Sequence, residues 1–197
     1  MKPVFTHPWN LTESEALILQ KDLAKKVIKE DMLSNINYIA GVDVAYAENI
    51  DRQIAAVVIL NAKTLEVVET SIAEDVTNFP YIPGLFSFRE LPSIIKALST
   101  INTKPDLIVC DGQGIAHPRR FGLASHLGVL FDVPTIGCGK TRLHGQAEEP
   151  GLKRGDYAPL IDNGEIIGNK LRTQDNIKPV YVSIGHRISL KLLANGF

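Results

Sequence analysis

From residue 13 to about residue 30, apolar side chains fall at Ala16, Leu17, Leu19, Leu23, Ala24, Val27 and Ile28. That is the spacing of one face of a helix. Thr12-Glu13-Ser14-Glu15 in front of it reads as a capping box with Thr12 as the cap. The pattern then changes to strand-like runs at 39–46, 54–60 and 65–73, the last two joined by the turn Asn61-Ala62-Lys63-Thr64. Short connections of this kind favour antiparallel neighbours. A proline-bounded loop covers 79–84, and 88 to about 99 reads as helical. Pro92 suits a first helical position, which puts the start of that helix near Leu91. Residues 107–110 form a short apolar run, as a central strand buried on both faces should. A glycine-rich turn, a helix over 119–130 and a buried strand over 133–138 follow. Asp162-Asn163-Gly164 between runs at 157–161 and 165–167 signals a hairpin. A last strand is expected at 180–184, with the start of a helix after it.

Three antiparallel strands followed by alternating helices and strands describe an α/β chain with a mixed sheet and helices on both faces. A ribonuclease H-like fold has this order, and other folds share it. The 197 residues suit one domain over 1–197, and 45% hydrophobic content suffices for a full core. No apolar run approaches the roughly eighteen residues of a membrane span. The opening residues lack the pattern of a signal peptide, and two cysteines, Cys110 and Cys138, give no disulfide framework. A cytoplasmic location is the default expectation. The net charge of -1 neither supports nor excludes nucleic-acid binding, because an acidic cluster can mask a basic groove.

Three acids stand in unusual places. Asp43 interrupts the apolar strand Gly41-Val42-Asp43-Val44-Ala45, Glu90 follows Ser87-Phe88-Arg89 at a helix start, and Asp111 ends the strand 107–110. A charge inside an apolar strand is costly without a partner, and a divalent cation is one such partner. Mg²⁺ takes hard oxygen ligands and keeps water and phosphate oxygens in its shell. Taken singly, each acid is better read as a strand-end, cap or salt-bridge residue. Only convergence in space lifts the set above that, and spacing along the chain does not show convergence. Gly137-Cys138-Gly139-Lys140-Thr141 looks like the end of a P-loop, but the glycine that pattern needs five positions before Gly139 is Pro134. A nucleotide-binding reading is rejected.

Gly41 to Tyr46, Pro80 to Glu90, Asp111 to Gly128, Pro134 to Gly137, Lys140 to Gly145 and Gly185 to Arg187 together resemble the endonuclease V family, in the family's order from about His7 to about Leu190. The resemblance implies a ribonuclease H-like fold and dependence on Mg²⁺, with Mn²⁺ as a substitute. It implies nicking of DNA at the second phosphodiester bond 3′ to deoxyinosine, leaving 3′-hydroxyl and 5′-phosphate ends. By position, Asp43, Glu90 and Asp111 match the family's metal-binding acids, and His117 and Lys140 its basic active-site residues. Pro80, Tyr81, Ile82 and Pro83 match its strand-separating wedge. Gly84, Phe86, Gly112 and Leu143 fall where the family lines its base pocket. Arg119 and Arg120 are candidate phosphate contacts, with a solvated arginine pair as the alternative. His117 either orients the attacked phosphate or a water, or hydrogen-bonds its own loop. His126, His186 and the cysteines are expected to be structural.

Extracting a base from its stack costs roughly a few kcal/mol. Stacking by Tyr81 would return about 1–3 kcal/mol. Family members continue past this chain's last residues with a tail that carries a histidine near the metal site. The expectation is a less covered fold edge, reduced activity and metal binding by the three acids all the same. The partners implied are DNA containing deoxyinosine and, as an alternative, inosine-containing RNA, bound by a monomer. A non-catalytic damage-binding protein and another ribonuclease H-like nuclease are the competing readings.

Overall fold

The structure is a computed structural model that describes residues 1–33, 35–47 and 52–191. Helix α1 (Glu13–Ala24) precedes three strands, β1 (Tyr38–Tyr46), β2 (Arg52–Asn61) and β3 (Val67–Val76). Helix α2 (Phe86–Thr100), β4 (Leu107–Cys110), α3 (Leu123–Phe131) and β5 (Thr135–Gly139) alternate after them. Strands β6 (Tyr157–Asp162), β7 (Glu165–Leu171) and β8 (Val180–His186) complete the order. They make one sheet, β3-β2-β1-β4-β5-β8-β7-β6. The pairings β1–β2 and β2–β3 are antiparallel, β1–β4 and β4–β5 parallel, and β5–β8, β8–β7 and β7–β6 antiparallel. This is the mixed sheet expected, in the strand order of a ribonuclease H-like fold. Among the described residues no helix is long and apolar enough to cross a membrane.

Alternation along β1 sends Ala40 and Val42 to one face, where they join Val57 and Ile59 of β2. Leu91, Ile94 and Leu98 of α2 and Leu127 and Leu130 of α3 pack on that same cluster, and the two helices touch. Ile39, of opposite parity, belongs with Leu107, Ile136, Ile184 and Ile188 to a second cluster. Val27 and Leu33, beyond the end of α1, pack there as well. On this second face the described residues give helical conformation only to Leu190 and Lys191. Residues 192–197, where the expected helix would continue, lie outside the described residues.

Three boundaries differ from the expectation. The capping box forms, with Thr12 N–H donating to Glu15 Oε2 (2.8 Å) and Glu15 N–H to Thr12 Oγ1 (3.3 Å), but α1 ends at Ala24 rather than near residue 30. There Lys26 N–H turns to Leu23 O (2.9 Å), and Ile28 N–H is captured by His186 Nδ1 (3.1 Å) at the end of β8. Helix α2 begins at Phe86, so Pro92 is its seventh residue and Glu90 stands inside the helix rather than at its start. Helix α3 begins at Leu123, because Arg120 takes positive φ (55°) and Gly122 serves as the N-cap. The hairpin signal holds: Asn163 and Gly164 have φ of 49° and 81° between β6 and β7.

Candidate active site

The C-terminal end of β4 and the first turns of α2 open onto a cavity of about 470 Å³. Asp43, Glu90 and Asp111 all line it, with Lys140. Asp111 arrives because β4 lies beside β1, with its N–H held by Val42 O (3.0 Å). Glu90 arrives because α2 packs across β1 and β2. The residue is only 3% exposed, and its carboxylate accepts from Tyr46 Oη at 2.9 Å. Burial, reinforced by the negative charges of Asp43 and Asp111, pushes the Glu90 carboxyl up to about 8 despite the Tyr46 hydrogen bond. The Tyr46 hydroxyl is raised in turn by burial and by Glu90. The Arg89 guanidinium lies over the Tyr46 ring, 5.0 Å from its centroid. Lys140 Nζ donates to Asp111 Oδ2, which holds the ammonium above its ordinary range.

The donor set is three hard carboxylates that influence one another electrostatically. Among the described residues no three His, Cys, Asp or Glu side chains are grouped closely enough to hold an ion together. The three acids converge on one cavity, with Asp43 on the pleat parity opposite to Val42 and Val44. Mg²⁺ is commonly held by one or two carboxylates and completed by water and substrate phosphates, so the residues fit such an ion in that mode.

Across the cavity runs the loop from residue 80 to Gly84. Tyr81, Ile82 and Pro83 line the cavity; Pro80 does not. Tyr81 is 67% exposed, edge-on to Phe86 with ring centroids 6.1 Å apart. Gly84, Phe86, Gly112 and Leu143 all line the cavity as well. The 112–118 loop that forms its floor is packed too tightly for any other residue at two places. A Cβ on Gly114 would stand 2.0 Å from Ile184 O, and one on Gly137 of β5 would stand 2.4 Å from Gly114 N.

The basic residues divide. Lys140 reaches the acids, as expected. His117 lines the cavity, but both its ring nitrogens are engaged. Arg119 N–H donates to His117 Nδ1 (3.1 Å), so Nε2 carries the proton and donates to Gly84 O (3.0 Å). Burial, with Arg119 nearby, pushes the imidazole down to about 4, which keeps it neutral. His117 is thus bonded both to its own loop, through Arg119 N–H, and to Gly84 of the facing loop. Arg119 and Arg120 precede α3 rather than start it; neither lines the cavity, and both guanidinia hold protein partners. Arg119 binds Gln20 and Gly84 O, and Arg120 binds Asp162 (2.6 Å) and Glu165 (2.8 Å).

A model of the Endonuclease V family matches residues 21–195. The chain belongs to the endonuclease V family. Endonuclease V of Rippkaea orientalis is 55% identical over 190 residues, which are 96% of this chain and 82% of that protein. The crystal structure of endonuclease V from Streptomyces avermitilis is 45% identical with a TM-score of 0.89, covering 98% of this chain and 86% of that one. Ciona intestinalis endonuclease V, crystallised with a 24mer DNA containing an inosine followed by a ribo-adenosine, is 26% identical. Its TM-score is 0.79, over 92% of this chain and 86% of that one. Sequence reasoning missed Gln20, Tyr46, Ser87 and Gln113, which also line the cavity. Gln20 had a signal: it falls between Ala16 and Leu23 on the buried stripe of α1, where a polar residue needs a reason.

Proposed function

We propose that this chain is an Mg²⁺-dependent endonuclease that nicks DNA at the second phosphodiester bond 3′ to deoxyinosine, leaving a 5′-phosphate. The observation that carries the reading is the cavity itself: Asp43, Glu90, Asp111 and Lys140 face one space whose opposite wall is the exposed Tyr81 and the glycine-lined pocket. Family membership and the inosine-containing DNA bound by the Ciona relative support the substrate.

In this mechanism Tyr81 enters the stack where a purine leaves it, held by Ile82 and Pro83 against the rim. The extruded base lies against Phe86 and Leu143, and the backbone of Gly84 and Gly112 approaches its edge without side chains between. Hypoxanthine presents a carbonyl where adenine presents an amino group, so a backbone donor at that edge favours hypoxanthine. Asp43 and Asp111 would hold the metal, with Glu90 facing the same cavity, and the chemistry the metal would supply is to acidify water and stabilise the leaving oxygen. Lys140 places its ammonium beside Asp111, where it offsets charge gathering on the phosphate.

The test is nicking of a strand carrying one deoxyinosine, with Mg²⁺ and with chelator, mapped to the nucleotide. Wild type is expected to cut at the second bond 3′ to the lesion only with metal. Asp43→Ala is expected to lose about 10²-fold or more in rate while keeping DNA binding. Cutting that ignores the inosine, or that persists in the variant, removes the reading. The ribo-adenosine in the Ciona complex favours a second reading, in which inosine-containing RNA is also cut. Matched DNA and RNA oligomers decide between them.

A further inference from the structure

We propose that Gln20 is a positioning residue that ties the two walls of the cavity together and so sets how well an extruded hypoxanthine is told from adenine. The inference rests on the reading in the preceding subsection and extends it to a residue on α1, far from the acids in the chain.

Gln20 is fully buried and lines the cavity. Its amide is fully engaged. Nε2 donates to Gly84 O (2.8 Å) and to Phe121 O (2.9 Å), and Oε1 accepts from Arg119 Nε. The first partner belongs to the wall that carries Tyr81, Ile82 and Pro83. The second belongs to the wall formed by the 112–123 segment, where the next residue, Gly122, donates to Gly114 O (2.9 Å). One side chain thus bridges both sides of the space the base would enter.

The Gly84 carbonyl is the focus of this arrangement. It accepts from Gln20 Nε2, from His117 Nε2 (3.0 Å) and from Arg119 Nη2 (2.8 Å). A carbonyl oxygen has two lone pairs. Three donors from two separate chain segments therefore pin it from several sides. Gly84 also has φ of 81°, and a Cβ there would stand 2.6 Å from Arg119 Nη2. The peptide that follows is fixed as well, since Leu85 N–H donates to Ile82 O (2.9 Å). The Gly84 carbonyl cannot shift relative to Phe121 without breaking bonds to Gln20. Because Gln20 is desolvated, no water replaces a bond that is lost.

Gln20→Met keeps the volume and removes all three hydrogen bonds. Gln20→Glu keeps an acceptor for Arg119 and replaces Nε2, which makes both donations, by an oxygen that faces two carbonyls. The experiment measures KM, single-turnover rate at saturation and the inosine-to-adenine cutting ratio for wild type and both variants. A 2-aminopurine beside the lesion reports unstacking apart from chemistry. Both variants are expected to raise KM about tenfold, lower the cutting ratio about tenfold and weaken the fluorescence change. The saturated rate is expected to fall less than about threefold, because the acids keep their places. Should neither fold by thermal melting, Arg119→Lys tests the same cluster, since it removes both the Nε donor that holds the Gln20 amide and the Nη2 donor to Gly84 O. Folded variants with wild-type KM, cutting ratio and fluorescence overturn the inference. A loss confined to the saturated rate overturns it too. A wild-type protein indifferent to inosine instead overturns the functional reading on which the inference stands.

Discussion

At the scale of single residues, Glu90 shows how a functional group strains the fold that holds it. The residue is 3% exposed, and its carboxyl faces Asp43 and Asp111 and is pushed up to about 8, chiefly by burial. A carboxyl raised in the folded state contributes its full stability below the unfolded value of 4.5 and loses it as pH rises through about 8. Glu90→Gln removes that loss while its amide oxygen can still accept from Tyr46. In metal-free buffer the variant is expected to match wild type within about 1 kcal/mol at low pH. Above pH 8 it should be more stable by roughly 1–3 kcal/mol, yet fail to nick at any pH. Denaturant titration on each side of that value checks it, and a variant no more stable than wild type at the alkaline point refutes it. Asp43 was legible in the sequence as a charge in an apolar strand, whereas Glu90 and Asp111 read singly as a cap and a strand end, and only the family resemblance set them beside it. Tyr46 was not legible, because an aromatic at a strand end is ordinary until its hydroxyl is seen to reach Glu90.

At the scale of elements, periodicity located nearly every helix and strand but misjudged where several of them stop. Val27 and Ile28 continue the helical spacing of α1, yet the chain leaves the helix at Ala24 and uses Val27 in the second cluster. The reason is a distant one, the capture of Ile28 N–H by His186, and no local pattern announces it. Arg119 and Arg120 read as a helix start because nothing near them reveals the positive φ of Arg120 or its hold on the β6–β7 hairpin. The glycine-rich turn was legible as a turn, but not as a close contact with Gly137 of β5. Gly137→Ala tests that contact. Its Cβ would meet backbone atoms Gly114 N at 2.4 Å and Gly112 O at 2.6 Å, which cannot swing aside as a side chain could. A loss of about 3 kcal/mol is expected in urea unfolding. Gly41→Ala, in β1 with nothing within 4 Å of the added Cβ, should instead be neutral or gain about 0.5 kcal/mol. Equal effects at the two positions would show that the close approach has no energetic weight.

At the scale of the whole molecule, what the sequence withheld is what only distant pairing decides. The insertion of β8 between β5 and β7, and the docking of the first ten residues across α2 and α3, leave no periodic trace. The N-terminal amine donates to Leu98 O (2.6 Å), and Val4 N–H donates to Leu130 O (2.8 Å). His7 closes the segment through a directed chain of hydrogen bonds. Its Nδ1 donates to Pro8 O (2.8 Å), so its Nε2 accepts from His126 Nε2 (2.8 Å). His126 Nδ1 is then left to accept from the Ser87 hydroxyl (3.0 Å) on the cavity wall. A further proton on either ring breaks this order. Burial holds both imidazoles below their ordinary range, and His126 is lowered further by His7. His117 is lowered to about 4. For such groups the unfolded chain takes up protons near 6.5 and the folded chain only at lower pH, so stability is complete above 6.5 and falls as pH drops toward 4. Glu90 slopes the opposite way between 4.5 and 8, so the measurement belongs in the Glu90→Gln background. There, unfolding free energy is expected to decline steadily from pH 7 to pH 4. His7→Gln, which keeps an acceptor for His126 but cannot charge, should flatten part of that decline. Parallel curves for the two proteins would mean that the histidine pair does not couple the N-terminal segment to the fold.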